Sequence, residues 1–174
     1  MPTPERTSLA AIVTAGRDLL EQGGPATVSM QAVAGRVGVK APSLYKRVRD
    51  RYALLQLIAE ATVDDLGARL AASDGTLGGL ARAYRDFAHD KPEGFRLMYA
   101  VSGSAEALQR ASEPVLGAAR AAVGDERALD AARLLTAWAT GFLSMELAGA
   151  FRLGGSVDEA FEYGLARLEE ALAP

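Results

Sequence analysis

The sequence predicts an all-α fold of about nine helices, and three observations lead to this class. Apolar residues make up 49% of the 174-residue chain, whereas only 6% of the residues are aromatic and β-branched runs are few. Alanine and leucine, which are strong helix formers, dominate the apolar set. The apolar residues recur at helical spacing between breaks rich in glycine and proline.

Several classes of protein are excluded by what the sequence lacks. The chain has no cysteine, so it has neither disulfides nor a zinc–thiolate site, and we expect no metal and no cofactor. The first residues, MPTPERTS, contain no apolar signal segment, and Thr3–Glu5 is expected to be a fraying arm or a first helical turn. No stretch has the length and uniform apolarity of a membrane span. We therefore expect a soluble, cytoplasmic protein.

The first helix is predicted from Ser8 to about Gln22. Gly16 lies where a close contact with another helix would sit. Gly23-Gly24-Pro25 ends the helix, because glycine and proline both interrupt helical backbone. The predicted apolar face consists of Leu9, Ile12, Val13, Leu19 and Leu20.

Two short helices joined by a tight turn are predicted between Ser29 and Arg47. Ser29 can cap the first of them, which runs to Val37, because its hydroxyl accepts from a free backbone N–H. Gly38 stops that helix, since glycine enters the left-handed region at little cost. Pro42 suits the first turn of the second helix, which runs to about Arg47. This arrangement is a helix-turn-helix, whose second helix enters the major groove of DNA.

Positive charge is concentrated on the same segment. Six Lys/Arg residues lie between positions 36 and 51, against the single acid Asp50. The net charge of the chain is −3, but residues 1–60 carry eight Lys/Arg against five Asp/Glu, and residues 61–174 carry eleven against seventeen. A basic cluster around Tyr45 fits contact with phosphates, although alone it would also fit a solvated helical face. Together with the turn geometry it indicates double-stranded DNA as a partner.

These residues resemble the N-terminal domain of the TetR/AcrR family of transcriptional repressors. The resemblance covers roughly Ser8 to Ile58. It departs from the family at Lys40, where Ser or Thr often caps the recognition helix, and at Val48, where Phe is common. We therefore expect a less well capped recognition helix and looser packing nearby. The matching segments are Val37-Gly38-Val39, Ala41-Pro42-Ser43-Leu44-Tyr45, Val48-Arg49-Asp50-Arg51 and Leu54-Leu55.

The predicted geometry and the resemblance together select the residues that would contact DNA. Leu44 points to the core, so the exposed start of the recognition helix would face the bases. In the family a basic residue at the start of the fourth helix touches phosphate, and Arg51 matches that position. We predict base contacts from Lys40, Ala41, Pro42 and Ser43. We predict phosphate contacts from Ser29, Tyr45, Lys46 and Arg51.

Asp50 is the expected N-cap of a fourth helix, which runs to about Ala72. Its length implies that it leaves the N-terminal helices and enters the rest of the chain, so we place the domain seam in this helix or just before it. We assign residues 1–55 to a helix-turn-helix DNA-binding domain. As the resemblance implies, residues 56–174 then form a helical ligand-binding and dimerisation domain. The expected buried side of the fourth helix carries Leu54, Leu55, Ile58, Leu66 and Leu70.

Three further helices are predicted in the middle of the chain. Breaks at Ser73–Thr76, Asp90–Pro92 and Gly103 delimit them. The third helix contains Pro114, where we expect a kink or a restart. Their predicted bounds are Leu77 to His89, Glu93 to about Val101, and Ala105 to about Val123.

The last two helices are predicted from Arg127 to Arg152 and, after a Ser156 cap, from Val157 to Leu172. The first of them is apolar on more than one face, and such a helix needs cover on both sides. The resemblance implies a homodimer through the last two helices, so that two helix-turn-helix domains read a palindromic operator. Small residues that would admit a partner helix are Ala139, Gly141, Ala148 and Gly149.

The segment AWATGF, residues 137–142, resembles the family's subgroup named for a Trp-His-Gly signature in the C-terminal domain. Thr140 occupies the place where His is usual. Any role of that histidine is therefore absent in this chain.

The resemblance also implies a small-molecule effector held by the C-terminal domain. Plain core packing is the open alternative for each candidate, since aromatic and methionine stripes at helical spacing commonly form core. Glu146 is the most informative candidate, because it lies in an apolar segment and needs a partner if it is buried. The set predicts a mainly apolar or aromatic ligand: Tyr84, His89, Phe95, Met98, Tyr99, Trp138, Phe142, Met145 and Glu146.

Catalytic motifs are missing from the sequence. His89 is the only histidine, and there is no nucleophile elbow, HExxH, P-loop or GxGxxG after a strand, so we expect no enzyme. The sequence favours a sequence-specific DNA-binding transcriptional regulator, a repressor released from a palindromic operator by a small, mainly apolar ligand. The alternative is a helical dimeric adaptor or structural protein without specific DNA binding.

Overall fold

The computed structural model describes residues 8–101 and 104–173. The arm expected at Thr3–Glu5 and the break expected at Gly103 lie outside these residues. The described chain forms nine α-helices and a 3-10 turn at Pro25–Thr27, which confirms the predicted all-α class, and none of its helices is long and apolar enough to cross a membrane. The helices are α1 (Leu9–Gly23), α2 (Met30–Val37), α3 (Ala41–Leu44), α4 (Arg51–Ala71), α5 (Leu77–Asp90), α6 (Pro92–Ala100), α7 (Ala105–Val123), α8 (Ala128–Leu147) and α9 (Val157–Ala171).

The chain divides into two compact units. The first unit holds the residues through Val63 together with Lys91–Ala107, and the second holds Asp64–Asp90 and the residues from Leu108 onward. The domain boundary at residue 55 stays a prediction. The structure differs from the sequence-based assignment at α6. The sequence places this helix in the C-terminal domain, but it belongs to the first unit and packs on α1.

A carboxylate from α1 explains why α6 packs there. Both oxygens of Glu21 accept hydrogen bonds from the start of α6, from the N–H of Glu93 at 3.2 Å and from that of Gly94 at 2.8 Å. These are N–H groups without a partner inside their own helix, so an acceptor near them stabilises the helix start. Two α6 side chains, Phe95 and Leu97, are also buried.

Side-chain caps begin α2, α4 and α9 where the sequence predicts them. Each cap accepts from the N–H three residues later, at 3.1 Å for Ser29, 2.8 Å for Asp50 and 3.2 Å for Ser156. Such a cap contributes about 1 kcal/mol. Lys40 makes no side-chain cap bond to α3, which confirms the poorly capped start expected for that helix.

Two helices differ from their predicted extent. The α3 helix ends at Leu44 instead of reaching about Arg47, because the carbonyl of Leu44 accepts from the N–H of both Arg47 and Val48, at 2.8 and 2.9 Å, and the chain turns there. Of the kink or restart expected near Pro114, the restart is wrong, since α7 continues through this residue as one helix, and the kink stays a prediction.

The predicted end of α8 is also wrong, because the helix stops at Leu147 and not at Arg152. Gly149 has a φ of 61°, in the left-handed region that favours glycine. Its N–H donates to the carbonyl of Glu146, and the N–H of Ala150 donates to that of Met145, both at 2.9 Å. These two bonds form a Schellman motif, which satisfies the last helical carbonyls and ends the helix.

The core of the first unit joins α1, α2, α3 and α4. Leu44 is fully buried and anchors the short α3 to this core. A Cβ on Gly16 would lie 2.5 Å from Cδ1 of Ile58, which confirms the close helix contact expected at this glycine. The fully buried side chains of this core include Ile12, Leu20, Val28, Val33, Leu44, Leu54 and Ile58.

The second unit packs α5, α8 and α9 around aromatic residues. Phe161 of α9 is fully buried, and its ring stacks on that of Trp138 with centroids 5.1 Å apart. Ala81, Leu135 and Leu165 complete the buried set. A large aromatic pair in such contact stabilises the packing of α8 on α9.

Gly164→Ala is expected to lower the free energy of unfolding by about 1–2 kcal/mol, through overpacking. A Cβ on Gly164 would lie only 2.7 Å from Cζ2 of Trp138, so the ring must move. Urea unfolding measures the loss. Gly117→Ala in α7 is the matched control, because nothing lies within 4 Å of its Cβ position; this variant should be neutral or more stable by up to about 1 kcal/mol. Equal changes in both variants would contradict the close contact.

Candidate nucleic-acid interface and effector region

The helix-turn-helix predicted between Ser29 and Arg47 is present in the first unit. Gly38, with a φ of 76°, ends α2 in the left-handed conformation. The N–H of Val39 then donates to the carbonyl of Ala34 at 2.9 Å, and the Val39 side chain packs on the core. With Leu44 buried beyond it, the turn is fixed to the core on both sides.

The predicted DNA-contacting residues occupy this turn and the short helix after it. Lys40, Pro42, Tyr45 and Lys46 are exposed, and Tyr45 exposes 55% of its surface. Ser29, Ala41 and Ser43 are partly buried. Among residues 8–101 and 104–173, no ion pair or side-chain hydrogen bond engages the ammonium group of Lys40 or Lys46. These two cations are therefore available to an external anion.

Other basic residues nearby are paired with acids of the chain. Arg49 donates to Asp50 at 2.8 Å, and Arg36 lies 3.7 Å from Asp18. The hydrogen bond from the N–H of Ala53, together with the Arg49 guanidinium, lowers the pKa of the Asp50 carboxyl below its ordinary value. Asp50 thus stays ionised as the cap of α4.

Arg51 makes contacts that the sequence did not predict. Its Nε donates to the carbonyl oxygen of Val28 at 2.7 Å, and its Nη2 donates to that of Pro25. The acceptors lie 23 and 26 positions earlier in the chain, so no local pattern reveals these bonds.

Two exposed side chains beside this region were not selected from the sequence. Gln31 is exposed in the first turn of α2, and Tyr52 exposes 54% of its surface in the first turn of α4. Their positions, next to Ser29 and Arg51, are the signal that could have identified them. Both are candidates for contact with the same partner.

An open depression of about 400 Å³ lies in the first unit. It combines two arginines and one glutamate with apolar and neutral side chains, and none of the nine predicted effector residues lines it. Its lining residues are Arg47, Val48, Arg49, Ala53, Gln56, Leu57, Glu60 and Ser104.

The structure brings some of the predicted effector residues together and separates others. In the second unit, the ring centroids of Trp138 and Phe142 are 5.9 Å apart, and both rings also contact Phe161. The hydroxyl groups of Tyr84 and Thr140 lie within hydrogen-bond distance, at 3.0 Å. Met145 is 48% exposed. The remaining candidates of α6, Phe95, Met98 and Tyr99, belong to the first unit, where the rings of Phe95 and Tyr99 meet edge to face.

Glu146 has the partners that its place in an apolar segment requires. Its side chain is only 12% exposed and accepts two bonds from Arg85, whose side chain is 14% exposed. Nε2 of His89 lies 3.2 Å from Oε2 of Glu146, and Arg85 also donates to Asp158 at 2.6 Å. The Arg85 guanidinium lies over the Phe161 ring, 4.7 Å from its centroid.

The contacts between Glu146, Arg85 and His89 determine the charge state of the Glu146 carboxyl. Burial alone would raise the pKa of the Glu146 carboxyl, but hydrogen bonds from Arg85 and His89 outweigh it and lower that pKa below its ordinary value. The same contact raises the pKa of Arg85. The pair is therefore ionised at neutral pH, and Glu146 is held by its own chain.

One face of α8 is exposed and largely apolar. Leu134, Ala137, Gly141 and Met145 follow one another at helical spacing and are all exposed. Of the small residues predicted to admit a partner helix, Gly141 lies on this face and nothing lies within 4 Å of its Cβ position. Ala139 does not lie on this face, since it is buried in the unit's own core.

Comparison with known proteins covers both parts of the chain. Residues 12–58 match the family model of bacterial regulatory proteins, tetR family, and residues 77–168, which are about half of the chain, match that of the tetracyclin repressor-like C-terminal domain. Neither match concerns the Trp-His-Gly subgroup, so that assignment is not confirmed. No curated protein matches the chain.

Solved structures resemble the chain over nearly its whole length. A protein from Rhodococcus sp. RHA1 shares 23% identity, with a TM-score of 0.81 over 99% of this chain and 97% of that one. BioQ of Mycobacterium smegmatis shares 24%, with a TM-score of 0.72 over 95% and 97%. A TetR variant from Acinetobacter baumannii AYE in complex with minocycline shares 21%, with a TM-score of 0.71 over 94% and 95%. At these identities the likeness concerns the fold.

Proposed function

Because this chain belongs to the TetR family of bacterial regulatory proteins, we propose that it is a repressor that binds a palindromic operator as a homodimer and is released by a small, mainly apolar ligand. Members of this family are transcriptional regulators and not enzymes, with an N-terminal DNA-binding domain and a C-terminal ligand-binding domain. We place its action in the cytoplasm, where the operator would lie. The operator, the ligand and the direction of regulation are the parts that we propose.

The exposed turn and recognition helix carry the DNA part of the proposal. Base edges would be contacted by the start of the recognition helix, which faces the groove while Leu44 anchors the helix to the core. The residues at this start are Lys40, Ala41, Pro42 and Ser43. Phosphates would be contacted by Ser29, Tyr45 and Lys46. Ser29 lies at the start of α2, and the exposed Tyr45 and Lys46 follow α3.

The exposed face of α8 supports the homodimer. Leu134, Gly141 and Met145 present apolar surface that a second copy would cover, and Tyr163 of α9 is 69% exposed. A small residue at the centre of such a face allows two helices to approach closely. Two copies related by a two-fold axis would present two recognition helices to the two halves of a palindrome.

The effector part of the proposal rests on the second unit. The half-buried rings of Trp138 and Phe142, which pack on the buried Phe161, and the hydroxyl pair of Tyr84 and Thr140 combine mainly apolar surface with a few polar groups, as ligand sites commonly do. Binding would act by population shift, favouring a conformation with lower operator affinity.

Selection of bound fragments from a random DNA pool, at two salt concentrations, tests the function. A recovered palindrome with salt-sensitive affinity would support the proposal. Bound DNA without a common motif would remove the operator-specific claim. A folded protein that retains no DNA at either salt concentration would favour the helical adaptor.

Lys46→Gln is expected to weaken binding to all duplex sequences alike and to reduce the slope of log affinity against log salt by about one, because one phosphate contact is lost. Fluorescence anisotropy with a selected and a scrambled duplex measures both quantities. Ser43→Ala is the contrasting variant, in which base preference should change while the slope stays the same. Changed base preference in Lys46→Gln, with affinity retained, would show that Lys46 contacts bases and that our assignment of it to phosphate is wrong.

A further inference from the structure

The segment that joins α1 to α2 is held by the hydroxyl of its own Thr27 and by the Arg51 side chain of α4. The Thr27 hydroxyl lies 2.7 Å from the carbonyl oxygen of Leu19 and 2.8 Å from that of Gly24, so its one proton is shared between these two acceptors. The Arg51 guanidinium donates to the carbonyls of Pro25 and Val28, which precede and follow Thr27 in the sequence. Val28 itself is fully buried, so the segment has little freedom.

Ser29 follows this segment directly and begins α2. Its hydroxyl accepts from the N–H of Ala32 at 3.1 Å, and its carbonyl accepts from that of Val33 at 3.0 Å. The place of Ser29, and of the first turn of α2 with it, is therefore set by where the segment from Pro25 to Val28 is held. Beside the burial of Val28 in the shared core, Arg51 ties this segment to α4 by two hydrogen bonds.

We propose that Arg51 is a positioning residue for DNA binding, which acts through the carbonyls of Pro25 and Val28 to hold Ser29 and the start of α2 in place. This inference rests on the proposed DNA-binding function and gives Arg51 a role different from the phosphate contact that the family resemblance implies. The planar guanidinium suits it, because two of its N–H groups reach two carbonyls at once, which an ammonium group at one point does not do.

Charge and geometry separate the two roles of Arg51. A phosphate contact depends on the positive charge, so Arg51→Lys would largely retain affinity and Arg51→Gln would reduce the salt slope by about 0.9. A positioning role depends on the two carbonyl bonds, so both variants should lose affinity while the slope stays that of the wild type. We expect a loss of about tenfold in each, as for an interaction worth roughly 1.4 kcal/mol.

Thr27→Val supplies a variant that changes no charge. It removes the hydroxyl that binds the segment to the Leu19 carbonyl of α1 and should give the same pattern, with weaker binding and an unchanged slope. Lys46→Gln is the control in which the slope should fall. All variants are compared with the duplex that the wild type selects, at a temperature where circular dichroism shows each of them folded.

Two results with DNA would overturn the inference. One is a reduced salt slope in Arg51→Gln with affinity retained in Arg51→Lys, which would identify a phosphate contact. The other is wild-type affinity in both variants, which would leave Arg51 a role in stability only.

Amide hydrogen exchange in the free protein tests the inference without the need for DNA. Exchange at Ala32 and Val33 should become faster by about tenfold in Arg51→Gln, if α2 loosens at its start by the same roughly 1.4 kcal/mol. Unchanged exchange there would overturn the inference, whatever DNA the wild type binds. A wild type that selects no duplex would instead remove the proposed function, so the two failures are distinguishable.

Discussion

Glu146→Gln is expected to lower the free energy of unfolding by about 3 kcal/mol at neutral pH, the low end of the loss seen when one partner of a buried ion pair is removed. Both side chains of the pair are nearly buried, at 14% exposure for Arg85 and 12% for Glu146. The substitution leaves the Arg85 charge paired with Asp158, whose side chain is 82% exposed. Urea unfolding followed by the fluorescence of Trp138, the only tryptophan, measures the loss.

An exposed ion pair in the same unit supplies the control. Arg82 and Glu162 join α5 to α9 through two hydrogen bonds, but their side chains are 53% and 48% exposed. Glu162→Gln should therefore cost less than about 1 kcal/mol. Adding Arg85→Met to Glu146→Gln should cost less than the two single losses together, because the isolated charge is removed. Similar losses in Glu146→Gln and Glu162→Gln would contradict the importance of burial.

The contribution of Glu146 should also depend on pH in one direction. Burial would raise the pKa of this carboxyl, but its bonds from Arg85 and His89 lower it below the unfolded value. A lowered pKa stabilises the fold above the unfolded pKa, about 4.3, and the contribution is lost as the pH falls through the folded pKa. The difference in unfolding free energy between wild type and Glu146→Gln should thus be constant near neutral pH and shrink below about pH 4.3. A difference that grows on acidification would contradict this sign.

Local chemistry explains why most helix starts could be predicted from the sequence. Ser29, Asp50 and Ser156 cap helices because a short polar side chain satisfies a nearby backbone N–H, and both groups lie within four residues. Gly38 ends α2 for an equally local reason. The same rule was available at Gly149, but the apolar run that continues past it to Phe151 suggested a longer helix.

Contacts between distant residues explain what the sequence did not predict. Arg85, which binds Glu146, lies 61 positions before it, and the carbonyls that bind Arg51 lie 23 and 26 positions before Arg51. The sequence indicates that a buried carboxylate needs a partner, but only the packing of α5 on α8 determines which one. Likewise, the sequence places α6 among the C-terminal helices, and only the structure shows that Glu21 of α1 caps it.

Gly141→Arg is expected to yield a folded monomer whose operator affinity is lower by roughly 10²–10⁴-fold, the gain that joining two binding modules commonly provides. Within one chain the substitution should be tolerated, since Gly141 is exposed and nothing lies within 4 Å of its Cβ position. Against a partner helix packed on the same face, however, a guanidinium would be buried without a counter-charge. Analytical ultracentrifugation measures the assembly state, and circular dichroism checks the fold.

Gly117→Arg in α7 is the matched control for this variant, because Gly117 is also exposed and has nothing within 4 Å of its Cβ position. It introduces the same charge on an equally open helical position outside the proposed interface, so it should sediment and bind DNA like the wild type. If Gly141→Arg stays dimeric with wild-type affinity, the partner covers another surface and the exposed face of α8 needs a different explanation. If it becomes monomeric while both variants stay folded, the loss of affinity measures how much the second recognition helix contributes to operator binding.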